Sequence, residues 1–333
     1  MKNMKTKSDK VYKGMVFAGC SFTWGQGLYY YSNLPTLQEP PPDAYNSNLV
    51  THSHNAFRKT LYFPRLVANH FNTFEVSMIQ NGGSEQTSLD YLKCVHGLAE
   101  PNTGFYTQNH SFDEIEYIVF QTSQPQRNTH YYVYQSPYDG NEFMLSEFRT
   151  YSEDTHDRFY KYLAHQKKSN FDDWYDEHIR RWIKILKQNL QFYESKGIKT
   201  IIVNWEALYL PYIKEDEWLS KRSIGLDFEG KTYSCIRELM NENRYLHINS
   251  DDEYFDETPK DHHPSKQCHR IIADNIIKTI ESNSIVYGDM LGKNIEYLEY
   301  DTLVDNIYSD KVTFNPKTRE IEKKSEHGRN NLI

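Results

Sequence analysis

Short apolar runs alternate along this chain with stretches whose apolar residues recur at threes and fours. The runs at 15–18, 75–79, 117–120, 201–203 and 245–248 hold β-branched and aromatic residues and predict five strands. Between them lie helical patterns. AFRKTLYFPRLVANHF follows the first run, and Pro64 predicts that this helix starts late or bends there. Ser84 is placed to cap SEQTSLDYLKCVHGLA, in which Leu89, Leu92, Val95 and Leu98 share a face. The clearest helix covers 172–196, where Tyr175, Ile179, Trp182, Ile183, Leu186, Leu190 and Tyr193 form one stripe and Gly197 follows as a stop. SCIRELMNEN predicts a further helix, and Ile271, Ile272, Ile276 and Ile280 mark one after Pro264. Alternation of this kind predicts an α/β fold with a parallel sheet covered on both faces.

Three segments break the rhythm. Residues 33–56, with Pro40, Pro41 and Pro42, read as a long loop after the first strand turn. Residues 124–170 are a polar, tyrosine-rich insertion after the third strand, and 283–333 are an extension ending in the charged stretch KTREIEKKSEHGRNN, expected to be mobile. Loops of that length in a domain are functional or disordered, and the first two fall where a cleft forms beside the sheet. The expected organisation is one domain over 1–282 with cleft-side insertions at 33–56 and 124–170, then the extension.

With 333 residues the chain can bury a large core. Its 38 basic and 46 acidic residues give a net charge of −8, against the clustered positive charge that nucleic acid or an anionic membrane surface attracts. Mean hydropathy is −0.80, and no apolar run approaches the roughly 18 residues of a membrane span. MKNMKTKSDK is basic without a following apolar segment, so no secretory leader is read there. Cys20, Cys94, Cys235 and Cys268 form no CxxC pair. Together these features lead us to expect a cytoplasmic protein with unbridged thiols. The 27 tyrosines either offer a sugar-binding surface or share in the bias that enriches Asn, Lys and Ile.

Ligands of open α/β sheets bind beyond the carboxyl ends of the strands. The first strand ends in Gly19-Cys20-Ser21, the second in Asn81-Gly82-Gly83, and the third in Gln121-Thr122-Ser123. Asp261, His262 and His263 follow the expected fifth. Those residue types permit acyl transfer. A serine hydroxyl needs a base near neutral pKa, the imidazole needs an orienting carboxylate, and the tetrahedral intermediate needs N–H donors. Ser21 is the candidate nucleophile, His263 the base and Asp261 its orienter. The backbone N–H groups of Ser21 and Gly83 are the candidate oxyanion donors, Gly83 being preferred to Gly82. A metal reading of Asp261, His262, His263, Cys268 and His269 matches no zinc spacing, so neither metal nor organic cofactor is expected.

The same residues carry a resemblance. Gly19-Cys20-Ser21, NGGSEQT and DHHPSKQCHRIIADNI resemble the nucleophile, oxyanion and base blocks of the SGNH (GDSL-type) hydrolase family over roughly residues 13–282. GCSFT is similar to the first block of divergent members from tailed phages. The resemblance implies a three-layer α/β/α sandwich with a mostly parallel five-stranded sheet, and a serine esterase acting without cofactor. His269 matches a second histidine of that helix to which no catalytic role attaches. Two departures stand out. Cys20 replaces the first-block Asp, and Gln121-Thr122-Ser123-Gln124 replaces the Gly-x-Asn-Asp block whose Asn supplies an oxyanion hydrogen bond. Ser123, Thr122 or Gln124 must then supply it, Ser123 being the expected donor, while Thr122, Gln124 and Trp24 are the expected substrate contacts. The expected substrate is a small-molecule or carbohydrate ester, O-acetyl groups on sugars above all. The competing expectation is an inactive SGNH-fold binding or virion structural module.

Overall fold

The computed structural model of the protein describes residues 11–31, 52–77, 84–99, 109–123, 129–135, 143–149, 171–248, 263–299, 305–306, 312–315, 320–324 and 330–332. The chain divides into two units, one of residues 1–83, 87–123 and 193–293, the other of 84–86, 124–192 and 294–333. In chain order the elements begin with β1 (Gly14–Ala18), α1 (Ser21–Trp24), α2 (His52–Leu61), α3 (Phe63–His70), β2 (Glu75–Ser77), α4 (Glu85–Val95) and β3 (Ile115–Gln121). Then come β4 (Thr129–Gln135), β5 (Phe143–Arg149), α5 (Phe171–Ser195), β6 (Lys199–Val203), α6 (Leu210–Glu215), α7 (Glu217–Ser220) and β7 (Ser223–Ile224). β8 (Leu226–Phe228), β9 (Lys231–Tyr233), α8 (Ile236–Glu242), α9 (Lys266–Ser282), β10 (Asp305–Asn306), β11 (Val312–Asn315), β12 (Glu320–Lys324) and β13 (Asn330–Leu332) complete the described chain.

The first unit holds a five-stranded sheet in the order β2-β1-β3-β6-β7, parallel at every pairing. Every residue of β1 is buried, which is what a strand covered on both faces requires. On one face Met15, Phe17, Tyr117, Val119, Ile201 and Val203 join Phe63 and Val67 of α3, Leu239 of α8 and Ile272 and Ile276 of α9 in a single core. Residues of the alternate set, Val16, Ala18, Ile118, Phe120 and Ile202, are buried as well. The result is the three-layer α/β arrangement expected. Each fully buried Leu, Ile or Phe contributes ~1.5–3 kcal/mol of transfer free energy before chain entropy is counted.

Local chemistry explains the element ends. The predicted disturbance at Pro64 is a break: Tyr62 is extended (φ −77, ψ 147) and caps α3, with Pro64 in its first turn. Ser265 caps α9 by accepting from the Cys268 N–H at 3.3 Å, and Asn283 closes it in the left-handed region at φ 48.

Three expectations need correction. Residues 245–248 are not the fifth strand: Arg244–Leu246 is a 3₁₀ turn, and His247 makes one antiparallel bridge to Pro264. The fifth place in the sheet goes to the two-residue β7, through Val203↔Ile224. The loop expected over 33–56 ends earlier, since α2 begins at His52, while 32–51 lie outside the described residues. The charged tail expected to be mobile carries β12 and β13; β12 pairs antiparallel with β11 on one side and with β13 on the other, a meander.

The second unit is described by itself. Its β4 and β5 form an antiparallel hairpin from Thr129↔Arg149 to Gln135↔Phe143, inside the stretch read as an insertion. β10 adds to β4 through Asp305↔Tyr132, so the insertion and the extension share a sheet. The Asn189 side-chain amide grips Leu298 from both sides, donating to its carbonyl at 3.0 Å and accepting its N–H at 2.7 Å. Among the described residues no helix is long and apolar enough to cross a membrane.

Candidate functional site

β1 is an interior strand, and its neighbours β2 and β3 are reached by chain running in opposite directions across the sheet. The crevice at the carboxyl ends of β1 and β3 is therefore the topological switch point, where open α/β sheets bind ligands. Ser21 and Gln121-Thr122-Ser123 lie at those two ends.

The turn that carries Ser21 is tightly built. A Cβ on Gly19 would come within 2.2 Å of Thr23 Oγ1 and 2.8 Å of Gln121 Cβ, so only glycine lets β1 and β3 approach here. The Gly19 carbonyl accepts from Ser88 Oγ at 3.2 Å. Ser21 opens α1, and Gly25, in the left-handed region at φ 74, closes it by donating to the Phe22 carbonyl at 3.2 Å. Thr23 Oγ1 donates to Gln121 Oε1 at 2.7 Å, while Gln121 Nε2 donates to Cys20 Sγ at 3.1 Å and to the Thr122 carbonyl at 2.8 Å. Gln121 thus bonds the residue before Ser21 and the residue two after it. Sequence reasoning gave Gln121 no such part, because the contact joins residues 98 apart with no pattern between them.

His263 comes from the far end of the chain. Ile248 N–H donates to the His263 carbonyl at 3.1 Å and Ser265 N–H to the Leu246 carbonyl at 2.8 Å, clipping the backbone on either side of the imidazole. The segment read as a fifth strand instead serves as this clamp. Its consequence is a contact between His263 Nε2 and Ser21 Oγ of 2.9 Å, across 242 positions of sequence. Both side chains are largely enclosed, 9% and 4% exposed. For Ser21 to donate, Nε2 must be the bare nitrogen and Nδ1 the protonated one.

Aromatic rings frame the imidazole. Phe22 stacks on His263 with centroids 4.8 Å apart and planes at 27°, and on Trp205 at 3.6 Å and 23°. Trp205 N–H donates to Thr122 Oγ1 at 3.1 Å, so the Thr122 hydroxyl oxygen braces the end of β6. Neither Phe22 nor Trp205 was singled out from sequence, where an aromatic after a serine looks like any core residue.

The other expected site residues divide. Ser123 is buried at the end of β3. Trp24 is built into the wall: Arg58 Nη1 donates to its carbonyl and the guanidinium lies over its ring at 4.1 Å. Burial pushes that guanidinium down to about 10. Asp261, His262, Gly82, Gly83 and Gln124 lie outside the described residues. His269 is fully buried, accepts the Phe63 N–H at Nδ1 (3.3 Å) and is pushed down to about 3 by burial, which keeps it neutral and out of proton transfer. Cys268 is fully enclosed, and burial pushes its thiol far up. Among the described residues no group of three His, Cys, Asp or Glu side chains is gathered as metal ligands would be.

A serine hydroxyl within hydrogen-bond reach of an imidazole, at a sheet edge where ligands bind, can do one thing neither group does alone: lose its proton while attacking a carbonyl. Comparison with family models, with curated proteins and with solved structures finds no match for this chain.

Proposed function

We propose that the protein is a serine hydrolase of carboxylic esters, of the SGNH (GDSL) type, acting without metal or organic cofactor on a small-molecule or carbohydrate ester. The observation that carries this reading is the 2.9 Å contact between Ser21 Oγ and His263 Nε2. In the first half-reaction Ser21 Oγ attacks the ester carbonyl and its proton passes to His263 Nε2. The tetrahedral intermediate then collapses, and the leaving alcohol takes that proton from the imidazolium. Water repeats the sequence on the acyl-serine, releasing the acid and restoring Ser21.

Asp261, two residues before the base, is assigned to hold the imidazole in the tautomer with Nδ1 protonated. The oxyanion donors are assigned to the Ser21 and Gly83 N–H groups and the Ser123 hydroxyl, each worth about 2.7–4 kcal/mol of transition-state stabilisation. O-acetyl groups on carbohydrate are the preferred substrate class, on the strength of the tyrosine content and the family resemblance. A phage-type member of the family is the finer assignment. The experiment is turnover of p-nitrophenyl acetate by wild type and by Ser21→Ala. Turnover absent from the variant supports the reading, and equal rates sink it.

A second reading has its own observation. Gln121 and Thr122 stand where the family's third block offers donors, and both are bonded into the fold through Thr23, Cys20 and Trp205. On that reading the fold serves as a binding or virion structural module. Ligand binding without turnover would favour it.

A further inference from the structure

We propose that Phe22 is a positioning residue for His263, an inference that rests on the hydrolase reading above. A histidine ring turns about a broad, roughly two-fold χ2 torsion, so backbone clamping alone does not aim Nε2. At this site a ring face adds to the aim assigned to Asp261. Phe22 stacks on the imidazole at 4.8 Å with planes 27° apart, and is itself stacked on Trp205 at 3.6 Å. Trp205 is in turn fixed at both backbone groups: its N–H donates to Thr122 Oγ1 at 3.1 Å and its carbonyl accepts from the Arg237 N–H at 3.0 Å. The stack therefore joins three separate chain ends, the turn after β1, the end of β6 and the segment before α9.

The order of residues gives the arrangement its use. Phe22 directly follows Ser21 on α1, so the hydroxyl to be deprotonated and the ring that orients its base belong to one four-residue turn. That turn is locked to β3 by the Thr23–Gln121 bond of 2.7 Å. A displacement of the turn moves nucleophile and base together, which preserves their separation. An aliphatic residue at 22 fills space but offers the imidazole no flat face, and the ring then samples orientations that miss Oγ.

The experiment uses the full chain with p-nitrophenyl acetate as substrate, and NMR of ¹³C-labelled histidine as a second readout. Phe22→Leu is expected to lower kcat about 10- to 100-fold with little change in KM, since a misaimed base harms the chemical step. Phe22→Tyr, which keeps the flat face, is expected to recover most of the loss. The His263 ring-proton signals, identified by their disappearance in His263→Gln, are expected to move downfield when the shielding ring is removed. Should Phe22→Leu fail to fold, Phe22→Met, whose unbranched flexible side chain adapts to the space, replaces it with the same expectations. A folded variant with wild-type kcat overturns the proposal, wherever its His263 signals lie. A wild type that turns over no ester overturns the hydrolase reading instead, and the positioning role, which is a role in that chemistry, falls with it.

Discussion

Gln121 accepts the Thr23 hydroxyl at 2.7 Å, and through that bond the end of β3 governs the turn that presents Ser21. The same amide donates to Cys20 Sγ and the Thr122 carbonyl, so both of its ends are engaged and it cannot be flipped without loss. Gln121→Leu leaves Thr23 and Thr122 with buried polar atoms to satisfy. It is expected to cost about 1–3 kcal/mol in urea unfolding. Gln121→Glu retains the acceptor for Thr23 but buries a carboxylate against the Thr122 carbonyl, and should cost more than Gln121→Leu near neutral pH. Equal stability for all three would remove Gln121 from this role.

A buried ion pair sits away from the carboxyl edge. Arg222 Nε and Nη2 donate to the two oxygens of Glu194, each at 2.6 Å, and Thr200 Oγ1 donates to the same carboxylate at 2.6 Å. Arg222→Met is expected to destabilise the fold by about 3–5 kcal/mol, because it strands a buried carboxylate. Arg222→Met with Glu194→Leu should cost less than Arg222→Met alone. Urea titration of the single and double variants reads this directly.

Two buried histidines, His178 and His269, and the half-buried His96 set the acid side of the stability curve. Burial pushes His178 and His269 down to about 3 and His96 down to about 4, all below their ordinary 6.5. The unfolded chain therefore binds more protons than the folded one as pH falls from 6.5 toward those values, and stability falls with it. Each contributes a slope of about 1.4 kcal/mol per pH unit across that window. His269→Gln should reduce the slope of unfolding free energy between roughly pH 4 and pH 6 by about that amount. An unchanged slope would mean that His269 is not held neutral.

Much of this architecture was legible in the sequence, and the parts that were not share a cause. β1, β3, β6 and α5 announce themselves because burial on a sheet or along a stripe imposes a period on neighbouring residues. The pairing of Ser21 with His263 could be argued from which strand ends deliver polar groups. β7 could not, since two residues carry no period, and Tyr245-Leu246-His247-Ile248 looked like a strand because its apolar content is that of one. Its partner turned out to be the His263–Pro264 backbone rather than the sheet. The roles given to Gln121, Phe22 and Trp205 depend on contacts between distant segments, which leave no local trace.

The oxyanion hole proposed above yields a further expectation. If Ser123 supplies its side-chain donor, Ser123→Ala lowers kcat toward small esters about 10- to 1000-fold with KM little changed, because that bond tightens in the transition state. Steady-state kinetics with p-nitrophenyl acetate check it, and a wild-type kcat would hand the role to another donor.

The central claim is that His263 makes the Ser21 hydroxyl a nucleophile. Its most direct measurement is labelling with a fluorophosphonate, followed by mass spectrometry of the peptide containing Ser21. The account predicts a covalent adduct on Ser21 in the wild type, and its loss in both Ser21→Ala and His263→Ala. An unlabelled Ser21 in the folded wild type, or equal labelling in His263→Ala, would contradict it.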